Sequence, residues 1–425
     1  MASFCRRELL YALIICLIPL GFGYIIGYPS GAAAYYFNNN SAQIDLGIDK
    51  DSNYWQLFVS LTFLTGAMGP YIPTILFKCG ISRRLVVFII SIISVILWIP
   101  LAFMRNNKTF WMGFVIRILQ GFMLGAFSSL GPLLLLEVAP AEQTGVYGTF
   151  NQIFIVFGIL IVQLIQANKN DPKIYCFFSA ASHAVLCGVI WLIPETAIHV
   201  QSNDEDKEEK SSESIFQAKY IWPLIVLLII MLTQQFSGIN AILADLGRIF
   251  KDAGIENRSF NEFYQAFVAT TAQLFSCFCS GALINCLGRR AMWTISGLVC
   301  ALCLIIFGFN TKFTWSKLLP IILIFGYQFG FGLGLAPMPW YSSPELFPLS
   351  VRPMASSING MTSWLFSFII VFASPAMKNS KMGELGLFLF YGIITLVGTF
   401  FGFWFVKEVD DIHAESLDND DEIKA

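Results

Sequence analysis

Three carboxamides, Gln234, Gln235 and Asn240, surround Ser237-Gly238 inside an apolar run that begins near Tyr220. An amide donates and accepts at once, so this group suits reversible hydrogen bonding to hydroxyls and offers no nucleophile or acid. An apolar stretch of about 20 residues spans a bilayer as a helix, and strong hydrogen-bonding groups there are costly unless they face protein or a wet cavity. On a straight helix, at about 100° per residue, Gln234 and Asn240 point well apart. A break at Ser237-Gly238 lets all three converge, as in the discontinuous helices that form midplane sites in secondary transporters. Helix-to-helix hydrogen bonding by amides accounts for the same residues, and the heptapeptide alone leaves both readings open.

The rest of the chain has to be membrane scaffold. Of 425 residues 56% are hydrophobic and 13% charged, and the mean hydropathy is +0.67, a composition outside the soluble range. The net charge of -2 and the lack of a basic block exclude a nucleic-acid partner. Ten cysteines lie mostly in apolar runs and form no secreted-type disulfide framework. No metal site is expected, because Cys277 and Cys279 have no histidine near them. None of the three histidines sits at motif spacing from a nucleophile or acid, and no GxxxxGK[ST] occurs. The chain therefore reads as no enzyme, with no catalytic residue and no cofactor.

Apolar spans fall near 9–29, 55–77, 84–104, 110–136, 145–167, 174–193, 220–243, 263–287, 291–309, 318–341, 354–375 and 384–406. They are too long for barrel strands, so an all-α membrane protein of twelve helices is expected, with both termini on one side. The polar stretch Gln201 to Ser214 divides it. The domains are thus a six-helix half at 1–194, a short linker at 195–219, a second six-helix half at 220–406, and an acidic tail at 407–425. Lys and Arg totals on the two sides are nearly equal, but Arg6/Arg7, Arg83/Arg84 and Arg289/Arg290 hug helix ends on the side of the termini. The glycosylation acceptors Asn39, Asn107 and Asn257 all fall on the other side. Linker and termini are therefore expected in the cytoplasm, at the plasma membrane.

Short strings recur between the halves. Cys79 to Arg84 echoes Asn285 to Arg290 at an offset of 206, while Glu137, Pro140, Thr144 and Asn151 correspond to Glu345, Pro348, Arg352 and Asn359 at 208. Duplicated halves suggest alternating access by rocking. The turn residues Arg83, Arg84, Glu137, Arg289, Arg290, Glu345 and Arg352 then become candidate gating charges, against the simpler reading that the arginines anchor helix ends to headgroups.

These motifs resemble those of the sugar porter family of the major facilitator superfamily, and several apolar stretches resemble its insect facilitated trehalose transporter branch. The resemblance rests on QQFSGIN from Gln234 with IFKDAGI from Ile249, and on Arg117 to Gly121 with Glu137 to Pro140. Further support comes from Gly334 to Trp340 with Pro344 to Pro348 and Val351-Arg352, and from Pro194-Glu195-Thr196. It implies two pseudo-symmetric six-helix halves, a passive sugar carrier without cofactors, and the bilayer and a small sugar as partners. The implied sugar contacts are Gln152, Gln234, Gln235, Asn240, Gln273, Trp340 and Trp364.

Several positions depart from the family pattern. No acid precedes Arg83, Asn285 stands where the second copy has one, and Thr144 replaces the arginine partner of Glu137. Glu137 is therefore expected to lack its usual partner, leaving Arg290, Glu345 and Arg352 to pair in the second half. Ile25 stands where proton-driven members carry an acid, next to Arg117. The leading expectation is a facilitative transporter of trehalose or a hexose. The alternatives are a sugar-binding sensor that no longer transports, favoured by the missing gate charges, and a carrier of a non-sugar solute.

Overall fold

The computed structural model describes residues 6–38, 45–49, 52–140, 143–167, 171–195, 214–243, 246, 262–316, 318–348 and 350–408. Eleven of its helical runs are long and apolar enough to cross a membrane. The run Phe267–Phe313 has 47 residues, about twice the length of a span. It divides at Gly288, whose φ of 79° is left-handed and terminates a helix. Twelve spans result among the described residues. They are α1 (Arg7–Pro29), α2 (Asn53–Lys78), α3 (Arg83–Leu101), α4 (Asn107–Val138), α5 (Thr144–Ile165) and α6 (Pro172–Leu192). The second half holds α7 (Ala218–Leu243), α8 (262–287), α9 (289–313), α10 (Leu319–Leu346), α11 (Arg352–Asn379) and α12 (Gly383–Phe405).

Local signals account for the ends and breaks. Ser52 and Ser82 cap α2 and α3 by accepting from the Trp55 and Leu85 N–H groups, and Asn106 forms a capping box with Thr109 at α4. Four spans are discontinuous. Helical geometry lapses at Cys16 in α1, at 67–70 in α2, at 237–238 in α7 and at 334–337 in α10. Pro19, Pro70 and Pro337 accompany three of these lapses and Gly238 (φ 83°) the fourth, since proline lacks the N–H that the preceding turn needs.

Each half has its own core. Tyr24, Trp98, Phe110 and Phe127 anchor the first, and Trp293, Tyr327, Phe331 and Phe388 the second. Met231, Trp340 and Trp364 come from the second half yet pack into the core of the first. Helices α2 and α4 approach at small residues: a Cβ on Gly121 would collide with Thr65 Oγ1 and the Thr62 carbonyl, and one on Gly125 with the Gly66 carbonyl. Lipid gives helices no hydrophobic drive to associate, so such close packing carries much of the cohesion. Gly125→Val should therefore lower the unfolding midpoint in detergent, at a cost of about 1–3 kcal/mol. A Cβ on Gly188 of α6 would meet nothing within 4 Å, and Gly188→Val should leave the midpoint almost unchanged; equal losses would contradict the tight α2–α4 seam.

Candidate functional site

The break in α7 brings the amides together. Its helix runs Ala218–Phe236, reverses hand at Gly238, and resumes at residues 239–243. Tyr327 Oη donates to the Ser237 carbonyl at 3.1 Å. Asn240 Nδ2 donates to Gln235 Oε1 and to Ser367 Oγ, both at 2.9 Å. Gln235 Nε2 donates to Gln234 Oε1 and Ser363 Oγ at 2.9 Å, while Ser367 Oγ donates back to Gln235 Oε1 at 2.7 Å. Ser363 and Ser367 are not among the contacts expected from the sequence. Their spacing of four on α11, flanking Trp364, is the signal that marks one helix face.

Gln234 does something different. Its Nε2 donates at 2.8 Å to the carbonyls of both Leu335 and Ala336, in the break of α10. Pro339 has no N–H for Leu335, four residues earlier, and the Trp340 N–H turns to Pro337. Gln234 thus supplies donors that the proline-rich segment removed, and holds Trp340 in place through that segment. Trp340 and Trp364 lie 6.1 Å apart, with Phe22 of the first half edge-on to both. Trp364 also stacks on Phe63 at 5.9 Å and donates from Nε1 to Ser128 Oγ at 2.8 Å. These contacts make the tryptophans a bridge between halves.

Gln152 on α5 and Gln273 on α8 are buried, and Gln273 Oε1 has no hydrogen-bond partner. Ile153, Val156 and Leu160 of α5 pack on Cys277 and Leu274 of α8. Along the other seam, contacts between α2 and α11 run from Gln56 Nε2 with the Phe372 carbonyl to Thr74 Oγ1 with Ser357 Oγ. The halves therefore touch along both seams.

The charged turns form two matching clusters. Arg83 holds Glu137 in a fork, Nε to Oε2 at 2.9 Å and Nη2 to Oε1 at 2.9 Å, and Arg289 holds Glu345 from Nε at 3.2 Å and Nη2 at 2.7 Å. Two further acids, which the sequence alone does not place here, cap the helices that follow. Glu195 accepts from the Arg83 N–H at 2.7 Å, and Glu408 from the N–H groups of Arg289 and Arg290 at 2.8 and 2.9 Å, where a helix dipole favours an anion. Arg84 reaches the Ile193 carbonyl and Arg290 the Val406 carbonyl. Ile193 with Glu195 and Val406 with Glu408 share one offset of 213, and the recurrence of Ile-x-Glu as Val-x-Glu is the signal that could have found them.

Two expectations are corrected here. Glu137 has Arg83 as its partner, so the first cluster is not depleted by Thr144. In the second, Arg289 rather than Arg290 meets Glu345, and Arg352 Nε donates to the Phe347 carbonyl at 3.2 Å. One residue along a helix turns a side chain by about 100°, which carries Arg290 off that face. Glu195 and Glu408, expected in linker and tail, are docked on the helical body. The duplication extends into the core: Asn359 Nδ2 donates to the Pro339 carbonyl at 2.8 Å, and Asn151 Oδ1 sits against Gly131 at the equivalent place.

Arg117 is 1% exposed, and no carboxylate is paired with it among the described residues. Its Nη1 donates to the Ile25 carbonyl at 3.2 Å and to Gln120 Oε1 at 2.9 Å, and its guanidinium lies 5.3 Å from the Tyr28 ring and 5.8 Å from that of Phe58. Pro29, four residues on, leaves that Ile25 carbonyl without a helical donor. Aromatic faces and a freed carbonyl thus take the place of an acid. Among the sequons, Asn107 opens α4 and donates from Nδ2 to the Leu46 carbonyl at 3.1 Å; Asn39 and Asn257 lie outside the described residues.

Twelve spans in two matching halves, with a charge cluster in each and a buried amide cluster in the second, define a multi-pass membrane carrier of the major facilitator fold. The chain matches the family described as "Sugar (and other) transporter" over residues 11–215 and 199–420. It belongs to that family, whose members are transporters and not enzymes. It is 25% identical to "Sugar transporter ERD6-like 6" of Arabidopsis thaliana, over 95% of this chain and 88% of that protein. Identity is also 25% to "Solute carrier family 2, facilitated glucose transporter member 1" of Gallus gallus, over 83% and 79%. Its fold superposes on the proton:xylose symporter XylE bound to 6-bromo-6-deoxy-D-glucose with a TM-score of 0.82, at 19% identity, covering 96% of this chain and 98% of that one.

Since both forks are built alike, Glu137→Gln and Glu345→Gln should have similar consequences. Removing one member of a buried pair costs about 3–5 kcal/mol. Each variant should therefore raise the labelling of cysteines placed beside the clusters, from the side of the termini, to a comparable extent. A rise confined to Glu345→Gln would restore the asymmetric picture.

Proposed function

We propose that this chain is a facilitative sugar carrier of the plasma membrane, with linker and termini in the cytoplasm, that moves trehalose or a hexose by alternating access. One observation carries the reading. Gln235, Asn240, Ser363 and Ser367 form a ladder of mutually satisfied amides and hydroxyls beside two tryptophans, at the seam where the halves meet. Sugar hydroxyls can exchange into such a ladder bond for bond, and an aromatic face suits the C–H side of a pyranose. The relatives, a sugar transporter and a facilitated glucose transporter, support the same class. Both Arg–Glu forks are present, which favours a carrier over a sensor that cannot transport. Uptake of radiolabelled glucose and trehalose into vesicles, paired with equilibrium binding, is the direct test: binding without flux would indicate a sensor, and neither would indicate a different solute.

The amides should separate by role. Asn240→Ala and Gln235→Ala each remove a hydrogen-bonding group worth roughly 1–3 kcal/mol, so sugar affinity should fall about fivefold to a hundredfold, with the unfolding midpoint changing little in Asn240→Ala, whose side chain is only half-buried. Gln234→Ala also strands two carbonyls and should lower the midpoint as well. Unchanged affinity in Asn240→Ala and Gln235→Ala together would remove the site assignment.

Transport should run without proton flux. The stretch from Leu9 to Gly31 has no Asp, Glu or His, and Arg117 meets a carbonyl, an amide and two rings instead of an acid. His183 is bonded from Nδ1 to the Ser179 carbonyl at 2.7 Å and wedged against Gly21. Sugar should equilibrate across vesicles at the same rate with or without an uncoupler, and accumulation that an uncoupler abolishes would show coupling.

A further inference from the structure

One strongly polar side chain of the second half takes no part in the ladder. Gln328 on α10 is 0% exposed, and neither its Oε1 nor its Nε2 has a hydrogen-bond partner. Burying an amide unpaired is costly at each end, so a residue of this kind in an apolar helix calls for a polar occupant. Its neighbours show where it points. Tyr327 meets Ser237 on α7, Phe329 meets Phe275 on α8 at 6.3 Å, and Gly326 and Gly330 lie against Cys303 and Val299 on α9. At about 100° per residue, Gln328 falls between the Tyr327 and Phe329 directions, turned away from α9 and into the angle between α7 and α8.

The level is fixed by two contacts. The Tyr327–Ser237 bond places Gln328 beside the break of α7, and Gly332, one turn further on, lies against Ser276 and the Gln273 carbonyl. Helices α8 and α10 run in the same direction, so one turn back from Gln273 brings Thr270 level with Gln328. Thr270 Oγ1 and Gln273 Oε1 are also buried and unpartnered. Three side chains on two adjacent helices therefore present four unsatisfied polar atoms at the depth of the amide ladder.

We infer that Gln328, with Thr270 beside it, is a second set of hydrogen-bonding contacts for the same solute, completing the enclosure of a polyhydroxyl ligand on the side opposite Ser363 and Ser367. The inference rests on the sugar-carrier reading. Its occupant is a neutral molecule with several adjacent hydroxyls, because an amide and a hydroxyl can pair both lone pairs and protons of such groups but neutralise no charge. Gln328 is a specificity contact in this scheme, not a structural tie, since its amide bonds to no other residue.

The test compares Gln328→Leu, Gln328→Met and Thr270→Val with Asn240→Ala, in purified protein reconstituted into liposomes. Affinity for D-glucose and trehalose is measured by equilibrium binding, KM and kcat by exchange, and stability by thermal unfolding. Loss of one such contact should weaken sugar binding by roughly fivefold to a hundredfold, with KM raised more than kcat is lowered and the unfolding midpoint unchanged or higher. Within a series of monodeoxyglucoses, at least one analogue should bind wild type and Gln328→Met equally, identifying the hydroxyl that Gln328 meets. Full affinity in Gln328→Met and Thr270→Val, while Asn240→Ala is weakened, would overturn the inference, leave the sugar-carrier reading intact, and indicate ordered water at Gln328. If wild type binds neither sugar, both readings fall together. A Gln328→Leu chain that does not fold leaves the decision to the other two variants.

Discussion

Inside a bilayer a backbone carbonyl that loses its helical N–H has no water to turn to, and must be given another donor by the protein. This constraint organises the molecule. Pro29 releases the carbonyl of Ile25, and Arg117 takes it. Pro339 releases that of Leu335, and Gln234 takes it together with Ala336. The left-handed turn at Gly238 releases the carbonyl of Ser237, and Tyr327 takes it. Each donor comes from a different helix, so each break in a span is also a tie between spans. Breaks that would be weaknesses in isolation become the fixed points of the central site.

The same accounting separates the two glutamines. Gln234 is committed to backbone, and a solute that displaced it would expose two carbonyls. Gln235 is bonded only to side chains, which can rotate to new partners at small cost. Adjacent residues of one type thus differ in partners: one is bonded to the backbone of a broken helix, the other to side chains alone. The ladder with Asn240, Ser363 and Ser367 gives both amides side-chain partners.

Two forks of arginine on glutamate sit at matching places in the halves, each backed by a second acid at the start of the next helix. The glutamates at the helix starts lie in segments that reach back from beyond α6 and α12, which ties the end of each half to its middle. Gly288 allows this in the second half, because a side chain there would press on the Glu408 carboxylate; Ser82 supplies an additional cap in the first. The aromatic bridge of Phe22, Phe63, Trp340 and Trp364 joins the halves nearer their centre. Any separation of the halves would have to part these rings.

Much of this was legible in the sequence, because it depends on local properties. Span length follows from runs of apolar residues, and the break of α7 from Ser237-Gly238. Duplication follows from offsets of 206 and 208, which survive because turns tolerate few residue types. The sequence of Gln234, Gln235 and Asn240 also sufficed to place three amides at one depth. Partner choice was not legible, since it is set by the rotation and tilt of each helix against its neighbours. Only the assembled bundle decided that Arg83 would meet Glu137 despite Thr144, that Arg289 and not Arg290 would meet Glu345, and that Glu195 and Glu408 would leave linker and tail to cap helices. Arg117 was the clearest case: its contacts with a carbonyl and two rings require residues far apart in the chain, brought within about 6 Å by packing that no local pattern encodes.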